Sequence, residues 1–508
     1  MIHITPSPPL FTRRWQWGVV LALFILGLGI RLYDLTDPPL DFHPTRQLRS
    51  AIIARGMYYR DLPSAPAWQR ERAAEQLAGH ALIEPPLFEK IVALTYRLIG
   101  KEVIWVARIY ASLFWLMGGF ALYLLARDMT SPDGAILALA FYLFLPFGIF
   151  SSRSFQPDPQ MVMMILWALW AIYHWDRAPG WKAAVLAGLL AGLALFVKAV
   201  ALFPVLAAFG ALVLCSKGFK VAVRDRQVWL IGGLAILPMI AYHFYGVYGL
   251  GTLESQFEGR FFPQMWLDPA FYVRWFGSMT NLLGFGTILA ALLGVLLFAT
   301  ARQRAFTLGL WAGYVIFGLT FPYHIITHTY YQLPLVQIVA LSLASLGALA
   351  FGRLATLAQP ILPRLVVFAV LSLGVFAKVW DVHLDLAQED YRHEPAYWQE
   401  LADTFGRDSV VVGLTHDYGN RLAYYGWITP KVWLPIHHNE YRELRGGSPL
   451  DVQKWFAEKT GDADYFLVTL LNQLNKEPDL KEILYQNYAI YAEGEGYIIF
   501  DLRQASAK

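Results

Sequence analysis

A chain of 508 residues that is 56% hydrophobic, only 16% charged and has a mean hydropathy of +0.41 is too apolar for an ordinary soluble enzyme. The net charge of +3 is too small to call for a nucleic-acid partner, and the lysines and arginines sit mostly in short connectors between apolar runs, as membrane topology requires. A single cysteine, Cys215, excludes an intrachain disulfide. The composition is that of a polytopic α-helical protein with membrane lipids for neighbours.

In chain order, Arg13 and Arg14 precede an apolar run at about 16–33. No small-residue cleavage site follows, so the run reads as a first retained span rather than a signal peptide. Residues 34–102 form a long first outer loop, in which Ser50–Tyr59 and Ala65–Leu82 have the spacing of amphipathic helices lying on a membrane surface. Apolar runs follow at about 103–125, 134–152 and 160–175, each near the ~20 residues a bilayer demands. The run Ala183–Cys215 is too long for one span, and a single helix would hold Lys198 at mid-bilayer at a cost of ~2.5–3.5 kcal/mol. A hairpin of two short helices avoids that cost and collects Arg13, Arg14, Arg302, Arg304, Arg353 and Arg364 on the inner side.

Further runs at about 228–247, 280–300, 306–323, 333–351 and 365–380 bring the expectation to about eleven spans, with a cytoplasmic N-terminus. Residues 1–380 thus read as a transmembrane domain. From 381 to 508 the composition changes to that of a soluble segment. Strands are expected at 408–413, 464–469 and 496–501 and helices at Glu394–Phe405 and Pro449–Lys459, which together make an extracytoplasmic α/β domain.

The stretch Asp37-Pro-Pro-Leu-Asp41-Phe-His43-Pro-Thr-Arg46-Gln-Leu-Arg49 alternates acids and bases directly after the first span. Asp41 is the first candidate for an acid/base or substrate-orienting carboxylate, with a turn or helix N-cap as the plain alternative. Asp158 lies before a helix and reads equally as an N-cap, yet it shares the outer face with Asp34, Asp37 and Asp41. Arg46, Arg49, Arg55, Arg153, Lys198 and Arg260 fall on that face too. Cations there would stabilise charge growing on a leaving phosphate, snorkelling being the alternative for each. Glu84, His43, His324, His328, Tyr330 and Tyr331 complete the candidate pocket, although an interfacial aromatic belt explains the tyrosines by itself. The histidines lack an adjacent carboxylate, so no metal site and no cofactor is predicted, a divalent ion being left open. There is no P-loop, no GxGxxG before a helix, no HExxH and no GxSxG, which removes support for nucleotide-driven transport and soluble-type hydrolysis.

The order of motifs resembles the GT-C membrane glycosyltransferases, in particular the protein O-mannosyltransferases and lipid A aminoarabinose transferases, over most of residues 15–350. It runs from a first span and an acidic outer loop to Pro85-Pro86-Leu87, Arg108, Asp158, Lys198 in a hairpin and finally His328-x-Tyr330-Tyr331-x-x-Pro334. The resemblance implies a polyprenyl-phosphate-linked sugar donor. A single sugar would pass to a hydroxyl of a protein, lipid or glycan acceptor at the outer face of a membrane, here a bacterial inner membrane. The family's catalytic acid belongs to an Asp-Glu pair in a His-Pro-Asp-Glu context, and the matching text here is His43-Pro44-Thr45-Arg46. Either Asp41 takes over or the acceptor is activated differently. Asp158, Lys198, Tyr331 and Pro334 match the later motifs. The expected roles are then Asp41 and Asp158 as catalytic groups, and Arg46, Arg153, Lys198 and Arg260 on the donor phosphate. His43, Arg49, Glu84, His328, Tyr330 and Tyr331 would line the pocket. Two other readings stay open: a lipid-linked glycan ligase working through arginine and histidine, and a lipid or glycan transporter. The transporter would want charges within spans and repeated halves, whereas the charges crowd one face and no repeat is visible.

Overall fold

The computed structural model describes residues 10–251, 253, 260–357, 361–448 and 450–505. Helices are numbered along the chain. First come α1 (Arg13–Leu32), α2 (Pro44–Tyr59), α3 (Ala67–Ala78) and α4 (Leu87–Ile99), then α5 (Trp105–Met129), α6 (Pro132–Phe144), α7 (Pro146–Ser151) and α8 (Asp158–Arg177). They are followed by α9 (Trp181–Val197), α10 (Leu202–Lys217), α11 (Arg226–Phe244), α12 (Pro269–Leu283) and α13 (Phe285–Leu297). The series continues with α14 (Ala301–Thr320), α15 (Pro322–Thr327), α16 (Leu333–Ala355) and α17 (Ile361–Gln388). By contacts the chain folds as two compact units that interleave in sequence. One runs to Leu35 and adds Ala81–Phe88 and Val106–Glu389, while the other comprises Thr36–His80, Glu89–Trp105 and the chain from Asp390 onward.

The first unit is helical and apolar. Among the described residues, six helical segments are long and apolar enough to cross a membrane, or seven if α12 and α13, bent by 94°, count as one. That is fewer than the eleven spans expected, and the differences have local causes. Pro146 removes a helix hydrogen bond and divides the run expected at 134–152 into α6 and α7. Gly284, at a φ of 87° open to glycine, separates α12 from α13. Helices α8 and α14 have 20 residues each, but Asp158, Asp176 and Arg177 sit in one and Arg302 and Arg304 in the other. The break expected within 183–215 is present: Lys198 is extended, with φ −156° and ψ 120°, between α9 and a short turn leading into α10.

Helix contacts in this unit depend on missing side chains, because lipid supplies no hydrophobic drive and close approach must come from small residues. A Cβ on Gly134 of α6 would lie 2.3 Å from the Ala344 carbonyl oxygen of α16. One on Gly313 of α14 would lie 2.4 Å from the Phe203 carbonyl oxygen of α10. Between α5 and α6, Trp115 stacks on Tyr142 with centroids 4.6 Å apart, and each ring donates a hydrogen bond to the other residue's carbonyl.

In the second unit, strands β1 (Val411–Leu414), β2 (Lys431–Val432), β3 (Tyr465–Val468), β4 (Tyr488–Gly494) and β5 (Tyr497–Ala505) form one sheet in the order β2-β1-β3-β5-β4. β1 runs parallel to β2 and β3, and β5 is antiparallel to β3 and β4. Residues along β1 and β3 are buried on both sides, so each strand reads as a continuous apolar run. Val411, Tyr465, Leu467 and Ile499 pack with Trp398, Leu401 and Phe405 of helix α18 (Glu394–Phe405). Val412, Leu414, Phe466, Val468 and Phe500 turn to the other face and pack with Phe456, Leu480 and Leu484. The observed helix there is Val452–Thr460, and Pro449, its expected start, lies outside the described residues.

Gly313→Leu is expected to destabilise the first unit by roughly 1–3 kcal/mol through overpacking. Gly277→Leu, where a Cβ meets nothing within 4 Å, should be close to neutral. Thermal unfolding of the two purified variants in detergent compares them directly.

Candidate active site

Three arginines of the first unit are withdrawn from solvent near the end of α1. Arg31, in its last turn, is fully buried and donates to Ser152 Oγ at 2.6 Å, to the Gly27 carbonyl at 2.8 Å and to the Leu143 carbonyl at 3.0 Å. Arg108, in the first turn of α5, and Arg153, just after α7, each donate at 3.2 Å to the Asp34 carbonyl, and Arg108 also reaches the Leu35 carbonyl at 3.2 Å. Asp34 takes a left-handed φ of 50°, a conformation that short polar side chains tolerate better than most, and this turns its carbonyl to the two arginines. Fixed guanidinium groups with little access to water interact more strongly with charge than solvated ones do.

A second cluster in the same unit is built on an ion pair. Asp158 is the first residue of α8, but its side chain does not cap the helix. Both of its oxygens accept from Lys198 Nζ at 2.8 Å, with side-chain exposures of 1% for the aspartate and 7% for the lysine. The Lys198 ammonium also stands 5.0 Å from the Tyr330 ring centre and 6.0 Å from that of Tyr331, within cation–π range. Tyr331 stacks on Phe317 of α14 at 5.5 Å and on His324 at 5.5 Å. His328 stacks on His324, also at 5.5 Å, and meets the edge of Tyr330. Gln332 anchors this loop, accepting from the Tyr314 hydroxyl and donating to the Ile325 carbonyl at 2.8 Å. Burial pushes the His324 imidazole down to about 3, and the nearby His328 and Arg260 add to the shift, so Arg260 acts on the same cluster. Of the residues expected from sequence, this unit therefore groups Asp158, Lys198, Arg260, His328, Tyr330 and Tyr331, with Arg153 beside the Asp34 turn. Glu84 is half-buried in the Ala81–Phe88 segment.

The remaining expected residues belong to the second unit. His43 adopts a left-handed φ of 46° at the N-cap position of α2, and Pro44 opens the helix, so the N-cap is not Asp41. Asp41 is half-buried and accepts from Gln47 Nε2 at 3.4 Å. Arg46 and Arg49 lie half-buried in the first turns of α2. Burial holds the His80 imidazole below its ordinary value, and Arg49 contributes to the lowering. Arg55 is committed elsewhere: it donates to Glu102 at 3.1 Å and to the Tyr424 carbonyl at 2.6 Å, and stacks over Tyr424 and Trp427.

Sequence reasoning passed over several of these features. Arg31 was legible as an arginine closing an apolar run, a residue type that rarely stays buried without a purpose. Gln156 at 0%, Gln160 at 6% and Gln337 at 1% are also buried. Among the described residues, neither amide atom of Gln156 or Gln337, nor Oε1 of Gln160, has a hydrogen-bond partner. Lone glutamines beside apolar helices were the available signal. Among the described residues no group of three or more His, Cys, Asp or Glu side chains is placed to hold a metal ion.

Lys198→Met, which strands a buried carboxylate, is expected to cost roughly 3–5 kcal/mol, and the added change Asp158→Leu should recover much of the loss. Thermal unfolding of the single and double variants tests this. A second expectation concerns pH. Folded His324 takes its proton near pH 3 and the unfolded residue near 6.5, so between those values the unfolded chain binds more protons and stability falls as pH falls. His324→Gln should flatten that slope in unfolding measured at stepped pH, while His80 and His416, also lowered by burial, leave a residue of it.

Residues 83–245 match the family model described as dolichyl-phosphate-mannose-protein mannosyltransferase. No curated protein matches the sequence significantly. Solved structures match nearly the whole chain. ArnT from Cupriavidus metallidurans bound to undecaprenyl phosphate aligns over 96% of this chain and 97% of its own, at 14% identity and a TM-score of 0.56. The apo state of the same protein aligns over 95% and 98%, at 15% identity and a TM-score of 0.57. The archaeal oligosaccharyltransferase AglB from Archaeoglobus fulgidus, in complex with an inhibitory peptide and a dolichol-phosphate, aligns over 96% of this chain and 74% of its own, at 12% identity and a TM-score of 0.55. At these identities the likeness is one of fold, shared with ArnT and AglB along nearly the whole of this chain.

Proposed function

We propose that this protein is a glycosyltransferase that moves one sugar from a polyprenyl-phosphate carrier to an acceptor hydroxyl at the extracytoplasmic face of a bacterial inner membrane. The observation that carries the reading is the placement of buried guanidinium groups in a largely apolar unit, Arg108 and Arg153 on the Asp34 turn. A lipid phosphate is an anion delivered at membrane depth, and preorganised guanidinium groups are the donors best matched to it. ArnT, one of the proteins sharing the fold, has been solved with undecaprenyl phosphate, and AglB with a dolichol-phosphate.

In this reading the acceptor oxygen attacks the anomeric carbon, the bond from that carbon to the phosphate oxygen breaks, and the electron pair leaves with the phosphate. Arg108, Arg153 and Arg260 stabilise the charge gathering there. In the same reading Asp158 and Lys198 hold the donor cleft in shape and orient Tyr330 and Tyr331, a role supported by their bidentate pairing, in which each charge answers the other. Asp41 takes the acceptor proton, and Arg46, Arg49 and His43 serve substrate binding. Gln156, Gln160 and Gln337 offer amide donors and acceptors to sugar hydroxyls.

Purified membranes supplied with radiolabelled polyprenyl-phosphate sugars one at a time test the proposal. Label should leave the carrier for a protein, lipid or glycan fraction, and Arg153→Gln should lower transfer by about 10²-fold or more, as loss of one transition-state donor does. Asp41→Asn should abolish most of it. Unchanged transfer in Asp41→Asn would remove Asp41 from catalysis, and no release from any carrier would defeat the proposal.

A further inference from the structure

In open α/β sheets the crevice beyond the carboxyl ends of the parallel strands, where successive connections diverge to opposite sides, is the place where ligands gather. In the second unit this point lies between β1 and β3, since β2 lies on one side of β1 and β3 on the other. The two strand ends are tied there by His416, whose backbone N–H donates to Thr469 Oγ1 at 3.1 Å and whose Nδ1 lies 2.9 Å from the same hydroxyl. Immediately afterwards the backbone does something costly. Asp417 and Tyr418 both adopt left-handed conformations, with φ 52° and 56°, before Gly419 at φ 81°. Consecutive non-glycine residues in this region persist only where neighbours over-determine them.

What the turn holds is a piece of the same unit. Asp417 Oδ1 accepts from Thr45 Oγ1 at 3.0 Å, and Asn420 Nδ2 donates to the Thr45 carbonyl at 3.3 Å. The other Asp417 oxygen is braced by Arg421 Nε at 2.5 Å, and Arg421 reaches Glu394 at 2.7 Å, which fixes the carboxylate from behind. The Tyr418 hydroxyl meets His438 Nε2 at 3.0 Å, steadying the second strained residue. Thr45 is the second residue of α2, and the carboxylate at that helix start also meets the positive end of the helix dipole. The position where an α/β sheet would ordinarily take a ligand is thus spent on the first turn of α2, the turn that follows Asp41 and His43 and contains Arg46.

We propose that Asp417 and Asn420 are positioning residues: they clasp Thr45 and so set the placement of His43 and Arg46, giving the C-terminal segment a direct part in the transfer reaction. This rests on the glycosyltransferase reading for its kinetic consequence, but the clasp itself has a readout that does not. Asp417→Gly is the informative variant, because glycine accepts the left-handed conformation freely and relieves the turn while removing the clasp. In the full-length protein, Asp417→Gly and Thr45→Val should each raise hydrogen exchange in the first turn of α2 about tenfold or more. Both should lower kcat about tenfold or more with a smaller change in donor KM, and Thr45→Ser, which restores the hydroxyl, should return kcat and exchange to wild-type values. Unchanged exchange in Thr45→Val overturns the clasp whether or not the protein transfers sugar. Faster exchange with unaltered kcat overturns its part in the reaction. A wild-type protein that transfers no sugar defeats the glycosyltransferase reading, and the exchange result then decides the clasp alone.

Discussion

Charge cannot be left alone in an apolar interior, and the first unit is arranged around that constraint. The Lys198–Asp158 pair meets it most fully, with both carboxylate oxygens at 2.8 Å from one ammonium and almost no exposure on either side. Much else follows from where the two residues must stand. Lys198 needs extended backbone to reach its partner, which separates α9 from α10, and Asp158 must sit at the first residue of α8. The rings of Tyr330 and Tyr331 then lie within reach of the ammonium and carry His324 and His328 in a stack beside them. Arg31, Arg108 and Arg153 meet the same constraint differently, by taking backbone carbonyls as partners.

The division of labour follows from this. In the proposed reaction the arginines fixed by backbone carbonyls would serve the phosphate, while the lysine, paired with its aspartate, holds the helices and rings in register. A preorganised field needs no rearrangement when negative charge develops, and this is where most of the barrier reduction in such a reaction would come from. The second unit works by other means. The central strands β1 and β3 of its sheet are buried on both faces, and the end of β1 carries a strained turn whose carboxylate is given to Thr45.

How much of this could be read beforehand depended on whether the signal was local. Apolar runs predicted helices well because each is written in consecutive residues, and the break at Lys198 followed from the cost of a lysine at mid-bilayer. The strands at Val411–Leu414, Tyr465–Val468 and Tyr497–Ala505 fall within or beside the expected stretches for the same reason. The number of spans was less accessible, since Pro146 and Gly284 cut apolar runs whose hydropathy is continuous. Pairing was hidden altogether. Asp158 read as a helix cap because it precedes a helix, and its bond to a residue 40 positions away has no local trace. The grouping of residues 36–80 with the C-terminal segment is of the same kind. In His43-Pro44-Thr45-Arg46 the threonine looked only like a lost acid, but its hydroxyl has a partner 372 residues further on.

The most direct measurement is native mass spectrometry of the purified protein titrated with undecaprenyl phosphate, the carrier without its sugar, for the wild type and for Arg108→Gln and Arg153→Gln. Expected is one carrier bound per wild-type chain, with affinity lower by about tenfold or more in each variant, as loss of a charge-assisted contact implies. Binding that both variants retain in full, or a wild-type protein that takes up undecaprenyl phosphate no better than an uncharged polyprenol, would contradict the assignment of these arginines to a lipid phosphate.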